Sequence, residues 1–217
     1  MKLHLGCGQR YLDGYVNIDF PLSAHSVQGT SVADLHADIL SLRYAPETIE
    51  EVRLHHVFEH FSRPVACALL AIWFSWLKPG GVIHLEVPDF QKTARVMLRS
   101  FTSFKKRAVA ERHLFGSHEA FWAIHCEGYT PGMLKKMVSG YGFRVADIRR
   151  NSWLGTYNFE LFAEKVSIEI AKKNFEDITA KYLKNYLLDD SESESRLLNI
   201  WMEVYKDQIK KGWIQNG

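Results

Sequence analysis

The residues best suited to chemistry begin at LHLGCGQ, where the apolar stretch Lys2–Leu5 runs into Gly6-Cys7-Gly8. Two glycines around one residue let a strand turn sharply and bring bare backbone against a ligand. A dinucleotide fingerprint needs a third glycine three residues further on, but Tyr11 stands there. It also needs an acid about 20 residues downstream to hold a ribose. Here Asp19 follows Gly8 by only about 11 residues, at the end of the stretch YVNID. A pyrophosphate cradle, and with it a nicotinamide oxidoreductase, is therefore disfavoured. A ligand with a ribose and no phosphate fits better, since Asp19 can accept from both ribose hydroxyls. Asp38 follows a weaker strand, where it could take the exocyclic amine of an adenine.

These residues need strands to hold them. Short strands are expected at Lys2–Leu5, Tyr15–Asp19, Ala33–Asp38, Glu51–His56 and Val82–Val87. Pro64–Leu77 has Leu69, Leu70, Trp73 and Leu77 at helical spacing and stops at the breaker cluster Lys78-Pro79-Gly80-Gly81. Thr130 with Pro131 reads as a helix start, and that helix ends near Gly140 and Gly142. Phe143–Ile148 and Tyr157–Glu164 are a late strand pair. Strands alternating with helices predict an α/β fold, a Rossmann-like, doubly wound, mostly parallel sheet covered on both faces. Residues 1–165 form that domain, with 89–130 as a substrate or lid segment too long for a simple connection. Residues 166–217 read as a helical C-terminal extension. One apolar face carries Ile168, Ala171, Phe175, Ile178 and Tyr182. A second helix starts at the capping pair Ser191 and Glu194 and is lined by Leu197, Trp201, Tyr205 and Ile209. Trp201, Tyr205 and Trp213 should pack on the domain or on a second copy, making a homodimer through these helices.

Composition narrows the classes. Net charge is only +2, so no global field points to nucleic acid. No run of 18 apolar residues suggests a membrane span, and the N-terminus lacks a secretory pattern. Cys7, Cys67 and Cys126 are few and scattered, which suits reduced thiols in a cytoplasm; with no CxxC pair, no metal site is expected.

The strings LHLGCG, VNID, Asp38-Ile39, HVFEH and LKPGG followed by VIHLEVPD stand in an order that resembles the class I S-adenosylmethionine-dependent methyltransferases. The resemblance spans roughly residues 2–165. It is nearest to a type 11-like bacterial group linked to glycan and surface-polysaccharide synthesis. It implies S-adenosylmethionine as cofactor. By resemblance Gly6, Cys7 and Gly8, with Leu5 beside them, line its methionine and ribose. Asp19, next to Phe20, holds the ribose; Asp38 and Ile39 flank the adenine; His55, His56 and Val57 wall the sulfonium. Two departures stand out. Many members carry an acid where this chain has His4, and the first crossover is only about ten residues long.

Methyl transfer to a hydroxyl benefits from a general base; transfer to an unprotonated amine need not have one. Such a base must lie at the carboxyl ends of the strands. His125 is the first candidate, because similar proteins place a histidine shortly before the GYT turn. Asp89 in EVPDF is the second; His60 in FEHF, His113 and His118 complete the set. Between Gln91 and Ser117, Lys92, Arg95, Arg99, Lys105, Lys106, Arg107 and Arg112 interleave with Phe101, Phe104 and Phe115 against the single acid Glu111. That mixture suits a small anionic acceptor such as a sugar or glycan precursor. The same segment keeps RNA methylation open, and His4 with the short crossover keeps a non-catalytic binding module open.

Overall fold

In a computed structural model, which describes residues 1–24, 27–153, 155–166 and 174–212, the strands alternate polar and apolar side chains. β1 (Lys2–Leu5), β2 (Val16–Asp19), β3 (Leu35–His36), β4 (Ile49–His55), β5 (Leu77–Pro88), β6 (Phe143–Trp153) and β7 (Thr156–Lys165) build a sheet in the order β3-β2-β1-β4-β5-β7-β6. The first five run parallel, and β7 lies antiparallel between β5 and β6. The expected mostly parallel α/β sheet is therefore present.

Register sorts the side chains onto two faces. Leu5, Leu54, Leu85 and Leu161 lie side by side, as do Leu3, Val52, Ile83 and Ala163. All are buried. The helices are α1 (Arg63–Trp76), α2 (Phe90–Leu98), α3 (Phe104–Phe115), α4 (Pro131–Gly140), α5 (Phe175–Leu183) and α6 (Glu192–Gly212). Of these, α1, α4, α5 and α6 complete the core on the leucine face, with Trp73, Trp76, Leu134, Met137, Leu183 and Tyr205.

The opposite face carries His4, Arg53, His84 and Phe162 in register, then His55, Glu86 and Glu160. The expectation of helical cover on both faces needs correcting. Between β1 and β4 the described chain holds two short 3-10 turns, Leu22–Ala24 and Ile39–Ser41, and no α-helix. The polar face closes on itself instead. His4 Nδ1 pairs with Asn17 Oδ1 at 3.0 Å, and His84 Nε2 with Glu160 Oε2 at 2.7 Å. The His84 ring stacks on Phe162, and the Arg149 guanidinium lies 4.8 Å from the same ring.

Two sequence expectations shift. β5 begins at Leu77, ahead of the breaker cluster, because Leu77 pairs with Ile49 and Gly80 absorbs the bend at φ +77°. Residues 89–130 are not one long loop: Asp89 and Ser103 cap α2 and α3. Thr130 does cap α4, accepting from the Met133 amide at 3.3 Å. The Ser191–Glu194 cap is also present, with the Glu194 carboxylate turned to the Leu188 amide.

The C-terminal helices pack on the domain itself. The Arg63 guanidinium of α1 stacks on Tyr186 at 3.6 Å and lies 5.5 Å from the ring of Trp201 on α6. Gly212 abuts Ile72 of α1, and Gln208 donates to the Leu40 carbonyl at 2.9 Å. Ile168, Ala171 and Trp213 lie outside the described residues. No described helix is long and apolar enough to cross a membrane.

Candidate active site

The strand order reverses between β1 and β4, and ligands of open α/β sheets bind in the crevice outside the carboxyl ends at such a point. β1 delivers the glycine turn there. Gly6 and Gly8 have φ of +69° and +56°. The Gly6 and Cys7 amides both donate to the Ile18 carbonyl, at 2.8 and 3.0 Å, which pins the turn to β2. A Cβ at Gly6 would strike Val57, whereas one at Gly8 would meet nothing within 4 Å. The open side of the turn is thus at Gly8. Asp19, 7% exposed, accepts from the Gly8 amide at 2.5 Å and from the Phe20 amide at 2.7 Å. One carboxylate therefore joins the tip of β2 to the turn beyond β1.

Other expected cofactor residues divide. Leu5 and the Cys7 thiol point into the core, and burial, then the nearby Asp19 charge, push that thiol up to about 11. At these positions only backbone can face a ligand. Asp38 is exposed and caps the 3-10 turn through the Leu40 amide at 2.9 Å. That turn rolls Ile39 into the core, so the adenine wall expected of its side chain is not built there. His4 is fully buried under the sheet. Burial outweighs its Asn17 hydrogen bond and lowers its pKa to about 4, so it cannot stand in chemically for an acid at this position.

At the end of β4, His55 Nδ1 lies 2.6 Å from Glu86 Oε2. His56 takes φ +52° and sets its ring between two carboxylates, 3.4 Å from Glu59 Oε1 and 3.8 Å from Glu86 Oε1. Burial alone would lower its pKa, but Glu59 and Glu86 outweigh that and raise it to about 10. Burial would likewise raise the Glu86 carboxyl, yet hydrogen bonds from His55, His56 and Asn151 hold it well below the usual range. Sequence reasoning missed both acids. The alternation of VIHLEVP already placed Glu86 on the polar face at a strand end, and Glu59 is the acid of HVFEH.

Residues 121–127 run from beside the end of β2 to beside the end of β4. Beyond α3, the Trp122 indole donates to the Ala24 carbonyl at 3.1 Å and its ring sits 6.2 Å from Phe20. The Cys126 and Glu127 amides both donate to the Glu59 carbonyl, at 2.8 and 3.1 Å. His125, with its Nε2 3.9 Å from Glu59 Oε1, packs edge-on against His60 at 4.6 Å. Burial lowers the His125 pKa. His113 reaches the Tyr157 carbonyl at 3.1 Å, and His118 is an exposed loop residue.

Asp89 does not belong with them. It is fully buried as the cap of α2, accepting from the Lys92 amide at 3.0 Å and from Arg150 Nε at 3.3 Å. Its role as a base is set aside for that reason. The basic-aromatic stretch runs along α2, α3 and the connection between them. Arg99, Phe101, Lys105, Lys106 and Tyr157 line an open cavity of about 830 Å³.

Against solved structures, the chain aligns with a chain of the complex between the Haloferax volcanii Trm112 methyltransferase activator and a methyltransferase. The identity is 14% over 76% of this chain and 82% of that one, with a TM-score of 0.52. The chain has a methyltransferase fold. Burkholderia thailandensis 1,6-didemethyltoxoflavin-N1-methyltransferase, solved with 1,6-didemethyltoxoflavin and S-adenosylhomocysteine, aligns at 13% identity over 76% of this chain and 71% of that one, with a TM-score of 0.50. The chain matches no family model and no curated protein sequence. In this methyltransferase fold the turn at Gly8, Asp19 and the Trp122 segment share the end of the sheet where ligands of such folds bind.

Proposed function

We propose that the chain is an S-adenosylmethionine-dependent methyltransferase acting on a small anionic acceptor, such as a sugar or glycan precursor of surface-polysaccharide synthesis. The observation that carries this is Gly8: its open side faces the switch-point crevice, and its amide is tied to a buried acid at the tip of the next strand. When bound, S-adenosylmethionine supplies a methyl carbon on a sulfonium whose sulfur is a good leaving group. Asp19 holds the ribose hydroxyls. Two carboxylates, Glu59 and Glu86, face one imidazolium, His56, so this trio carries net negative charge, which favours a cation. The Trp122 segment excludes water, and alignment supplies much of the rate. For a hydroxyl acceptor, His125 takes the proton. Arg99, Lys105 and Lys106 beside Phe101 and Tyr157 suit a phosphorylated or nucleotide-linked acceptor. The three cysteines are unpaired, which supports a reducing compartment such as the cytoplasm.

Calorimetric titration with S-adenosylhomocysteine and with NAD tests the cofactor. Binding of the first and not the second is expected; the reverse, or neither, overturns the reading. A mass gain of one methyl, sought across sugars, sugar nucleotides and a short RNA, then identifies the acceptor class.

A further inference from the structure

Glu59 is 1% exposed, and neither of its carboxylate oxygens has a hydrogen-bond partner among the described residues. A buried charge in that condition is costly. His56 answers it only in part, because its one positive charge is shared with Glu86 and its 3.4 Å approach lacks hydrogen-bond geometry. Two further imidazoles point at the same place. One ligand atom each from Glu59, His60 and His125 lie within 4.8 Å of one another.

We propose that Glu59, His60 and His125 bind a divalent transition-metal ion at the end of β4. The surroundings are those of a ligand set. His60 Nδ1 is held by the Ile124 carbonyl at 3.1 Å, and the His125 ring packs edge-on against His60 at 4.6 Å. A backbone carbonyl on one ring nitrogen fixes the tautomer and presents the lone pair of the other. The carbonyl of Glu59 itself is clamped by the Cys126 and Glu127 amides, so the two ligand-bearing segments are knitted together. Donors around a four-coordinate zinc stand about 3.4 Å apart, given bonds of about 2.0–2.1 Å. The widest spacing in the cluster must contract by up to about 1.4 Å, within reach of side-chain rotation in the partly exposed His60 and His125.

Two imidazoles and one carboxylate select zinc, cobalt, iron or nickel over magnesium and calcium, which prefer all-oxygen shells. Three protein ligands leave at least one open position, the arrangement of catalytic rather than structural zinc sites. Glu59 is walled off, so that position opens on the histidine side, beneath the lid. A hydroxyl bound there would have its pKa lowered by the ion. With an ion bound, His125 would be a ligand rather than the base, and the hydroxyl would give its proton to solvent water.

The test uses the full chain, stripped by chelator and free of cofactor and acceptor. Zinc is titrated by calorimetry and cobalt by visible absorption. One equivalent should bind in the micromolar range or tighter, with cobalt giving the absorption of a four- or five-coordinate site. His60→Ala and His125→Ala should each weaken binding at least tenfold, and Glu59→Gln should do the same without removing side-chain volume. His118→Ala, at an exposed histidine outside the cluster, should change nothing. No stoichiometric binding, or equal affinity in folded His60→Ala and His125→Ala, overturns the proposal. S-adenosylhomocysteine titrated into the same preparation reads the methyltransferase proposal separately.

Discussion

The two faces of the sheet are made by the same strands and obey different rules. On one face Leu5, Leu54, Leu85 and Leu161 touch across four strands and are sealed by α1, α4, α5 and α6. On the other, one residue away along each strand, His4 pairs with Asn17, Arg53 donates to His55, and His84 stacks on Phe162. Parallel sheets usually have helices on both faces and strands that are apolar throughout. Here the helices of one flank are reduced to turns, and the strands alternate to match. The comparison teaches that the polar face is an extension of the site. The next row of the same face, His55 and Glu86, lies beside His56 and the crevice.

The sharpest way to break this contrast is to mutate neighbours. Leu54→Ala removes a fully buried side chain from the sealed face and should cost about 2–5 kcal/mol of stability. Arg53→Ala, one residue earlier and half-buried, should cost less than about 1 kcal/mol. Urea unfolding of both variants measures the difference; equal losses would mean the polar face is packed as tightly as the core.

Next in size is Asp19, where the polar face meets the crevice. Losing a charged hydrogen bond to ribose hydroxyls costs about 1.5–3 kcal/mol, roughly ten- to hundredfold in affinity. Asp19→Ala should weaken S-adenosylhomocysteine by that factor. A folded variant that binds like the parent would remove the ribose assignment.

The polar face should also titrate. His4 has a pKa near 4 in the fold against 6.5 unfolded. Between those values the unfolded chain holds a proton that the native chain refuses. Its contribution is complete above pH 6.5 and is lost as pH falls toward 4, at up to about 1.4 kcal/mol per pH unit. Urea midpoints from pH 7 to pH 4.5 should show the decline, and His4→Gln should flatten it. An unchanged slope in that variant assigns the acid sensitivity elsewhere. Smallest of all is the rim: Arg144 and Glu164 meet at 2.6 Å but are both partly solvated. Arg144→Ala should shift stability by no more than about 0.5 kcal/mol, and less in high salt; a loss beyond 1 kcal/mol would show that the rim is structural.

Much of this could be read in the sequence. The glycine turn, Asp19, the five parallel strands and the Thr130-Pro131 start all follow from local rules that the fold does not override. The one-sided cover was legible too, since KLHL, VNID and VRLH alternate apolar and polar residues as a half-covered sheet requires. Strand and helix order points instead to cover on both faces. Helices α2 and α3 were hidden for a different reason. Leu98, Phe101 and Phe104 are exposed, so their apolar residues do not form a stripe that packs on the core. Asp89 was ambiguous at the level of residue type, because a strand-end aspartate can be a base or a helix cap, and only burial tells the two apart. Glu59 gains meaning from His125, which is 66 residues away and is brought beside it by the Cys126 and Glu127 amides on the Glu59 carbonyl, a pairing that no spacing rule encodes.

The packing of α6 on α1 has a consequence in time. A chain made from its N-terminus completes α1 by residue 76, but its partner ends at residue 212. At about 5–20 residues per second, α1 waits about 7 to 27 seconds for the helix that covers it. Through that interval the growing chain presents part of an unsealed helix surface, and contacts so distant in sequence are also slow to form. Synthesis of this fold therefore has a vulnerable middle, in which a nascent-chain chaperone or a slower translation rate over α6 would change the yield without altering a single contact in the finished molecule.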